Sequence, residues 1–274
     1  MKKILYPIAI GLLLLSCGNP EQKTDTADTP KTISVKEESI TYSLDTLSMN
    51  GYIAWNENDS SRRPVVLVVH EWWGMNDYPK MRARQLAQLG YLAMAVDLYG
   101  NGKTVDDPQS AGKLAGPFYQ NPQMAKARFD AALDRIKSHP MADTAQLAAI
   151  GYCFGGGMVL NIARLGSELD GVVSFHGSLL GVPADKSKLK SYILVLHGDA
   201  DEFVKPEEVD RFKAQLDSIG APYTFVAYPG ATHAFSNPGA DEKAKKYNMP
   251  IAYNPSADSA SFREMQGFFE KIFK

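Results

Sequence analysis

A cysteine within a glycine-rich segment is the strongest chemical signal in the sequence. Residues 151–157 read GYCFGGG, with Cys153 where a nucleophile lies at a sharp turn from a strand into a helix. Glycines on both sides let the backbone pass this turn without Cβ clashes. The first N–H groups of the helix favour a thiolate and can hold an oxyanion. We predict that Cys153 is a nucleophile and the Phe154 N–H an oxyanion donor; the alternative is a packing turn with a buried cysteine.

A thiol nucleophile needs a base and a group that orients the base. His233 follows the last predicted strand and lies downstream of the acidic segment HGDADEFV, so we assign it as the base. The acid is Asp201 or Asp199 in that segment. We favour Asp201, which is better placed to reach over the sheet edge, whereas Asp199 would shape the loop. The other histidines are interpreted as structural, rim or surface residues: His70, His139, His176 and His197.

A second segment of interest, HEWWGMND over residues 70–77, follows another buried strand. On a sheet of this kind the loop supplies the second oxyanion donor, for which the Trp72 N–H is the candidate. Glu71 is unusual here, because a carboxylate near a thiol competes for its proton. From the residues alone, a functional role for Glu71 and a surface salt bridge stay equally open.

The elements that must position these residues alternate between strand and helix. Continuous β-branched runs such as Val65–His70 predict strands that are buried on both faces. Residues 39–56 predict an opening antiparallel hairpin that turns at Asn50-Gly51. Residues 98–122, rich in Gly, Pro, Asn and Gln, predict a long loop with one short helix at most, and we hypothesise a mobile lid there. The fold class is therefore α/β, with a mostly parallel sheet covered by helices on both faces.

Composition and charge narrow the class of protein. Charged residues make up 22% and hydrophobic residues 45% of the sequence, which excludes a disordered or fibrous chain. Lysine and arginine number 29 against 31 acidic residues, so no basic excess exists to bind nucleic acid. Two cysteines are too few for a zinc site of the finger type. We expect no metal, no organic cofactor and a monomeric protein.

The N-terminus predicts export. Two lysines precede the apolar run Ile4–Leu15, which is too short to cross a hydrocarbon core of about 30 Å. The run ends in LLSCG, which resembles the bacterial lipobox, whose cysteine is lipidated. We predict a signal peptide over residues 1–16, a lipidated Cys17 with a flexible tether over residues 17–36, and one domain over residues 37–274. The protein would then be membrane-anchored on the periplasmic or cell-surface side; the alternative is an ordinary secretory signal cleaved nearby.

Taken together, these segments resemble the dienelactone hydrolase family (carboxymethylenebutenolidases) of the α/β-hydrolase superfamily. The resemblance covers roughly residues 50–272. It rests on HEWWG at 70–74, DLY at 97–99, GYCFGG at 151–156, DEFV at 201–204 and HAF at 233–235. It implies a triad of Cys153, His233 and Asp201. It also implies that Glu71 partners the thiol at rest and shifts when substrate arrives.

Two positions depart from the family pattern. Family enzymes that act on lactone carboxylates grip the carboxylate with two arginines, and here those places hold Asn101 and Asn237. We therefore expect a small-molecule ester, lactone or thioester substrate rather than dienelactone itself. Trp72 is a further aromatic candidate for the pocket. The residues predicted to line the substrate pocket are Trp73, Tyr99, Asn101, Phe118, Tyr119, Phe235 and Asn237.

Two other functions stay open from the sequence. The body could be a catalytically idle fold that serves as a tethered binding protein, since a fold alone does not confer a function. Alternatively, the same machinery could cleave peptide or amide bonds.

Overall fold

The computed structural model describes residue 1 and residues 33–273, so the predicted signal peptide and Cys17 lie outside the described residues. Residues Ile33–Lys274 form one compact unit. None of the helices between residues 33 and 273 is long and apolar enough to cross a membrane. In chain order, the strands and helices are β1 (Val35–Leu44), β2 (Leu47–Asn56), β3 (Arg63–Val69), α1 (Asp77–Gln88), β4 (Leu92–Val96), α2 (Pro108–Gln120), α3 (Pro122–Lys137), β5 (Ala142–Tyr152), α4 (Phe154–Arg164), β6 (Gly171–Phe175), β7 (Tyr192–Gly198), α5 (Pro206–Ile219), β8 (Tyr223–Tyr228), α6 (Ala240–Tyr247) and α7 (Pro255–Ile272).

The strands form a single sheet in the order β1-β2-β4-β3-β5-β6-β7-β8. Neighbouring strands from β4 to β8 run parallel, whereas β1 and β2 are antiparallel additions at one edge. Helices α1 and α7 pack on one face, and α2, α3, α4 and α5 pack on the other. Because both faces are covered, the β-branched run over Val65–Val69 is fully buried. The predicted α/β class with a mostly parallel, doubly covered sheet is confirmed.

The opening hairpin is present, but its predicted turn is wrong. Strands β1 and β2 turn at residues 45–46, where Asp45 adopts a positive φ of 53°. The predicted turn residues, Asn50 and Gly51, lie inside β2. A Cβ on Gly51 would come within 2.8 Å of the Met94 side chain, so this glycine serves close packing between strands rather than a turn.

The segment over residues 98–122 is more regular than predicted, because its second half is helix α2. The Asp107 side chain caps this helix by accepting a hydrogen bond from the Ser110 N–H at 2.9 Å, and Pro108 takes the first turn. Sequence analysis allowed one short helix in this segment, but the glycines and proline obscured its length and bounds, and α6 was missed. Three side chains at helical spacing are buried against the core: Ala111, Ala115 and Phe118.

A buried ion pair joins α1 to α7. The Arg82 side chain is almost fully buried and donates to Asp258 Oδ1 at 2.6 Å and to the Ser236 carbonyl at 2.5 Å. Its guanidinium also lies over the rings of Tyr78 and Tyr152, at 5.2 and 5.4 Å from their centroids. Because both charges are shielded from water, removal of one partner would leave the other uncompensated.

We expect Arg82→Gln to lower the free energy of unfolding by about 3 to 5 kcal/mol, since Asp258 loses its buried counter-charge. Arg84→Gln is the matched control on the same helix. Arg84 is partly exposed and lies 3.8 Å from Glu37, so its loss should cost less than about 1 kcal/mol. Urea unfolding followed by circular dichroism measures both changes, and equal losses in the two variants would contradict this account.

Candidate active site

Cys153 lies between β5 and α4 at a strained backbone turn. Its φ of 53° and ψ of −114° are rare for a residue with a side chain. A Cβ on Gly151 would lie 2.2 Å from the Gly155 carbonyl oxygen, and a Cβ on Gly155 would lie 2.3 Å from the Val69 carbonyl oxygen. The glycines are therefore required because backbone packs directly on backbone here. The predicted strand, sharp turn and helix around the cysteine are all present.

Two backbone N–H groups close to Cys153 in the chain or in the cavity lining have no acceptor among residues 33–273. Phe154 begins α4, where the first N–H groups of a helix lack acceptors, and Trp72 lies in the loop after β3. Neither N–H donates to an acceptor in the part of the chain that the structure describes. Both residues follow the carboxyl ends of central strands, as the sequence analysis expected of the oxyanion donors.

His233 lies in the loop after β8 and connects two of the predicted site residues. Its Nδ1 donates to Asp201 Oδ2 at 2.8 Å, and its ring interacts with the Cys153 thiol. Burial lowers the pKa of His233, but the Cys153 and Asp201 charges outweigh burial and raise this pKa to about 10. The arrangement therefore favours a charged imidazolium, with Cys153 on one side of the ring and the buried Asp201 carboxyl on the other.

The two aspartates of the acidic loop have different partners. Asp201 is 5% exposed, and its second oxygen, Oδ1, accepts from the Phe203 N–H at 2.9 Å, which fixes the carboxylate towards His233. Asp199 instead accepts from the Gly230 N–H at 2.6 Å and joins two neighbouring loops. The structure thus brings Asp201, and not Asp199, to the histidine.

Glu71 is buried at the start of the loop after β3. It is 3% exposed, and its Oε2 accepts from Asn237 Nδ2 at 2.6 Å. Burial raises the pKa of Glu71 from 4.5 to about 7, although the hydrogen bond from Asn237 and the charge on His233 oppose this shift. The surface salt bridge left open by the sequence is therefore wrong, since the carboxyl is enclosed and its partner is a neutral amide.

A buried chain of hydrogen bonds, which sequence analysis missed, supports the turn at Cys153. The Cys153 N–H donates to His176 Nδ1 at 3.1 Å, and His176 Nε2 lies 2.7 Å from Ser236 Oγ. Ser236 Oγ lies 2.8 Å from the Tyr78 hydroxyl, which accepts from Arg82 Nε at 3.3 Å. Since Nδ1 accepts, His176 is neutral, and burial holds its pKa well below the usual value. The position of His176 after a strand was its only signal in the sequence.

A cavity of about 370 Å³ opens beside the thiol. Trp72 and two of the predicted pocket residues, Trp73 and Tyr119, contribute to its walls. Among residues 33–273, no three His, Cys, Asp or Glu side chains are grouped as a metal ion would require. The cavity is lined by Glu71, Trp72, Trp73, Gly112, Ala115, Gly116, Tyr119, Cys153, Ser178, Phe203, Val204, His233, Ala234, Met249 and Ile251.

Three aromatic residues predicted to line the pocket lie behind it instead. Tyr99 is buried, donates its hydroxyl to the Trp72 carbonyl at 3.0 Å and packs on Phe118 and Phe154. Phe235 is fully buried against His176. These rings do not face the cavity, because almost their whole surface is buried in the core. They support the loop after β3 and the turn at Cys153 instead.

The two asparagines predicted to contact substrate also lie outside the cavity lining. Asn101 sits in a turn with a φ of 58°, and its N–H donates to the Ser48 carbonyl at 2.8 Å. The amide of Asn237 is engaged by Glu71. The prediction that these side chains line the pocket is wrong in this structure.

The raised pKa of Glu71 gives a testable dependence of stability on pH. The native state binds this proton more tightly than the unfolded chain, so the stability it provides is full below pH 4.5 and lost as pH rises through about 7. The unfolding free energy of Glu71→Gln minus that of wild type should therefore be about 2 to 3 kcal/mol larger at pH 8 than at pH 5. Urea unfolding at both pH values tests this, with Glu202→Gln at an exposed carboxylate as the control; a pH-independent difference for Glu71→Gln would refute the assignment.

Comparison with known proteins identifies the family of the chain. The sequence pattern of the Dienelactone hydrolase family matches residues 49–273. The chain is 30% identical over 207 residues to Protein usf of Aquifex pyrophilus, a match that covers 73% of this chain and 87% of that protein.

Two solved structures are similar over 88% of this chain and 99% of their own. One is described as a dienelactone hydrolase-like promiscuous phosphotriesterase from metagenomic libraries, with 31% identity and a TM-score of 0.82. The other is described as m3DLH, with 33% identity and a TM-score of 0.83. The chain has the α/β-hydrolase fold and belongs to the dienelactone hydrolase family of carboxylic ester hydrolases.

Proposed function

We propose that this hydrolase cleaves small ester, lactone or thioester substrates through a Cys153 nucleophile, with His233 as its acid and base and Asp201 as the orienting carboxylate. The observation that carries this proposal is the position of His233 between the other two groups. A base that is held by a buried acid and that contacts a thiol at a helix N-terminus is the arrangement that nucleophilic acyl transfer needs.

The first half of the reaction forms an acyl-enzyme. The Cys153 thiolate attacks the carbonyl carbon, and the electron pair of the C=O bond moves to oxygen. The N–H groups of Phe154 and Trp72, which donate to no acceptor in the described part of the chain, hold the resulting oxyanion. When the oxyanion collapses, the bond to the leaving oxygen or sulfur breaks, and the His233 imidazolium gives its proton to that atom.

The second half releases the acid. Neutral His233 removes a proton from water, and the hydroxide attacks the thioester carbon. Collapse of the second tetrahedral intermediate breaks the C–S bond and restores the thiolate beside the imidazolium. Asp201 keeps Nδ1 protonated throughout, so that Nε2 is the nitrogen that exchanges protons.

Glu71 supplies a further proton site in the same cavity. We propose that it partners the thiol at rest and moves away when substrate enters. In the structure its carboxyl accepts a hydrogen bond from the Asn237 amide, a partner that can hold it when it is turned away from the thiol. A pKa of about 7 makes the neutral and ionised forms comparable near neutrality, so either position is accessible.

The triad predicts that Cys153→Ala abolishes hydrolysis of p-nitrophenyl butyrate and that Asp201→Asn lowers kcat by about 10²- to 10⁴-fold, because the ring loses its orienting charge. Asp199→Asn is the matched control and should stay within a few-fold of wild type, since Asp199 only joins loops. Steady-state rates and mass-spectrometric trapping of the acyl-Cys153 adduct provide the measurements.

Wild-type turnover by Cys153→Ala would refute the nucleophile, and equal losses in the two aspartate variants would refute the choice of acid. Trapping of the acyl-Cys153 adduct from a peptide amide with the same acyl group tests the remaining alternative, which is cleavage of amide bonds. An idle binding protein would form no adduct with any substrate.

We also propose that the protein is a monomeric exported lipoprotein, anchored by lipid on Cys17 at the periplasmic or cell-surface side of a bacterial membrane. The support is the lysine-led apolar run that ends in LLSCG, followed by a polar stretch. Such a tether would hold the hydrolase near the membrane without a spanning helix.

Metabolic labelling with an alkyne fatty acid tests the anchor in cells that express the full chain. Wild type should be labelled and sediment with membranes, whereas Cys17→Ser should be unlabelled and soluble. Cys153→Ser is the control, because it removes the other cysteine and should keep the label. Labelling that persists in Cys17→Ser, or a wild-type chain without label, would contradict the lipoprotein assignment.

A further inference from the structure

The cavity beside Cys153 has His233 as its one cationic side chain among the described residues. Apart from the proposed triad members Cys153 and His233, the polar side chains in its lining are Glu71, Ser178, Tyr119 and the indoles of the two tryptophans. No lysine or arginine lines it in the part of the chain that the structure describes. Because Asp201 already engages His233, a substrate carboxylate in the rest of the cavity would meet a buried acid and no further cation, and burial of an unpaired charge is costly.

Cations on the elements around the cavity are engaged elsewhere. Lys243 lies over the outer face of the Trp73 ring, with Nζ 4.5 Å from the centroid, and forms an ion pair with Asp106. Arg128 donates to the carbonyls of Leu98 and Tyr99 at 2.6 and 3.0 Å. Neither side chain can turn to the cavity without breaking these contacts.

One face of α2 forms a smooth wall of the cavity. Gly112, Ala115, Gly116 and Tyr119 all line it, and their spacing places them on a single side of the helix. A Cβ added at either glycine would meet no atom within 4 Å, so the missing side chains leave open space. Glycine inside a helix is destabilising relative to alanine. The presence of Gly112 and Gly116 in α2, despite this cost, is explained by the space that they leave for a ligand.

Aromatic rings extend this apolar surface to the solvent. Tyr119 and Phe203 are each about half exposed, at 49%, although both line the cavity. Tyr119 packs edge-on against Phe154 with 5.7 Å between ring centroids, and Phe203 packs against His233 at 5.0 Å. Both rings are therefore held by the site residues, and their exposed edges continue the apolar wall outwards.

We propose that the substrates are uncharged esters or thioesters with an extended apolar acyl group, which lies along the face of α2 formed by Gly112, Ala115, Gly116 and Tyr119. This inference rests on the proposed thiol mechanism and names its substrate class. The geometry assigns Gly112 and Gly116 as the residues that set the length of acyl group accepted.

The test compares three p-nitrophenyl esters with one leaving group: acetate, hexanoate and the monoester of adipate, which replaces the terminal methyl of hexanoate by a carboxylate. Wild type should hydrolyse hexanoate with a kcat/KM about 100-fold above that of the adipate monoester at pH 8. Gly116→Val should lower the ratio of kcat/KM for hexanoate to that for acetate by at least about tenfold, because the new side chain fills the groove.

Gly267→Val is the matched control, since a Cβ there also meets open space but lies in α7, away from the cavity. Gly112→Val provides a second variant if Gly116→Val yields little folded protein, and the substrate ratio is independent of the folded fraction. Equal or faster hydrolysis of the adipate monoester would overturn the substrate class. An unchanged ratio in both glycine variants would overturn the role of α2.

The same set of rates, measured also for Cys153→Ala, distinguishes failure of this inference from failure of the proposed mechanism. If Cys153→Ala loses all three activities while wild type shows no preference among the esters, the thiol mechanism stands and the substrate class fails. If Cys153→Ala keeps wild-type rates, the mechanism fails, and the substrate class fails with it.

Discussion

The positive φ at Cys153 is the constraint on which the site depends. Such a backbone costs about 1 to 3 kcal/mol and persists only where the surroundings enforce it. Here the Cys153 N–H donates to both the Phe175 carbonyl and His176, while glycines let β5, α4 and the neighbouring loops touch through backbone alone. The hydrogen bonds from His176 run on to Arg82 and the ion pair with α7. The position of the sulfur is therefore secured by contacts that reach across the molecule.

Three ionisable groups share one small cavity, and their surroundings separate their roles. Burial favours the neutral form of Glu71, whereas Asp201 and the thiolate favour the charged form of His233. His233 is therefore favoured in its charged form between the Cys153 side chain and the Asp201 carboxyl. A neutral amide at Asn237 suits this balance, because it holds Glu71 without adding charge.

Sequence reasoning found what local pattern encodes and missed what packing decides. The turn at Cys153 was predictable, because its glycines and flanking elements are contiguous in the chain. The contact between Asp201 and His233 followed from strand order, since successive loops meet at one sheet edge. The Asn50-Gly51 pair was misread because a glycine in a turn and a glycine in a close strand contact look the same. Packing against residues distant in sequence decides whether each aromatic ring faces the cavity or the core. The same is true of the hydrogen bonds of His176.

The ion pairs of Lys243 and Lys246 with Asp106 tie α6 to the loop before α2, and Lys243 also covers Trp73. Asp106 is exposed, so dissolved ions weaken this strap, whereas the Arg82 and Asp258 pair is shielded from them. Lys243, which covers Trp73 in the cavity wall, is thus held by a contact that responds more strongly to ionic strength than the ion pair behind Cys153. Added salt would therefore weaken the link between α6 and the loop before α2 more than the support of the turn at Cys153.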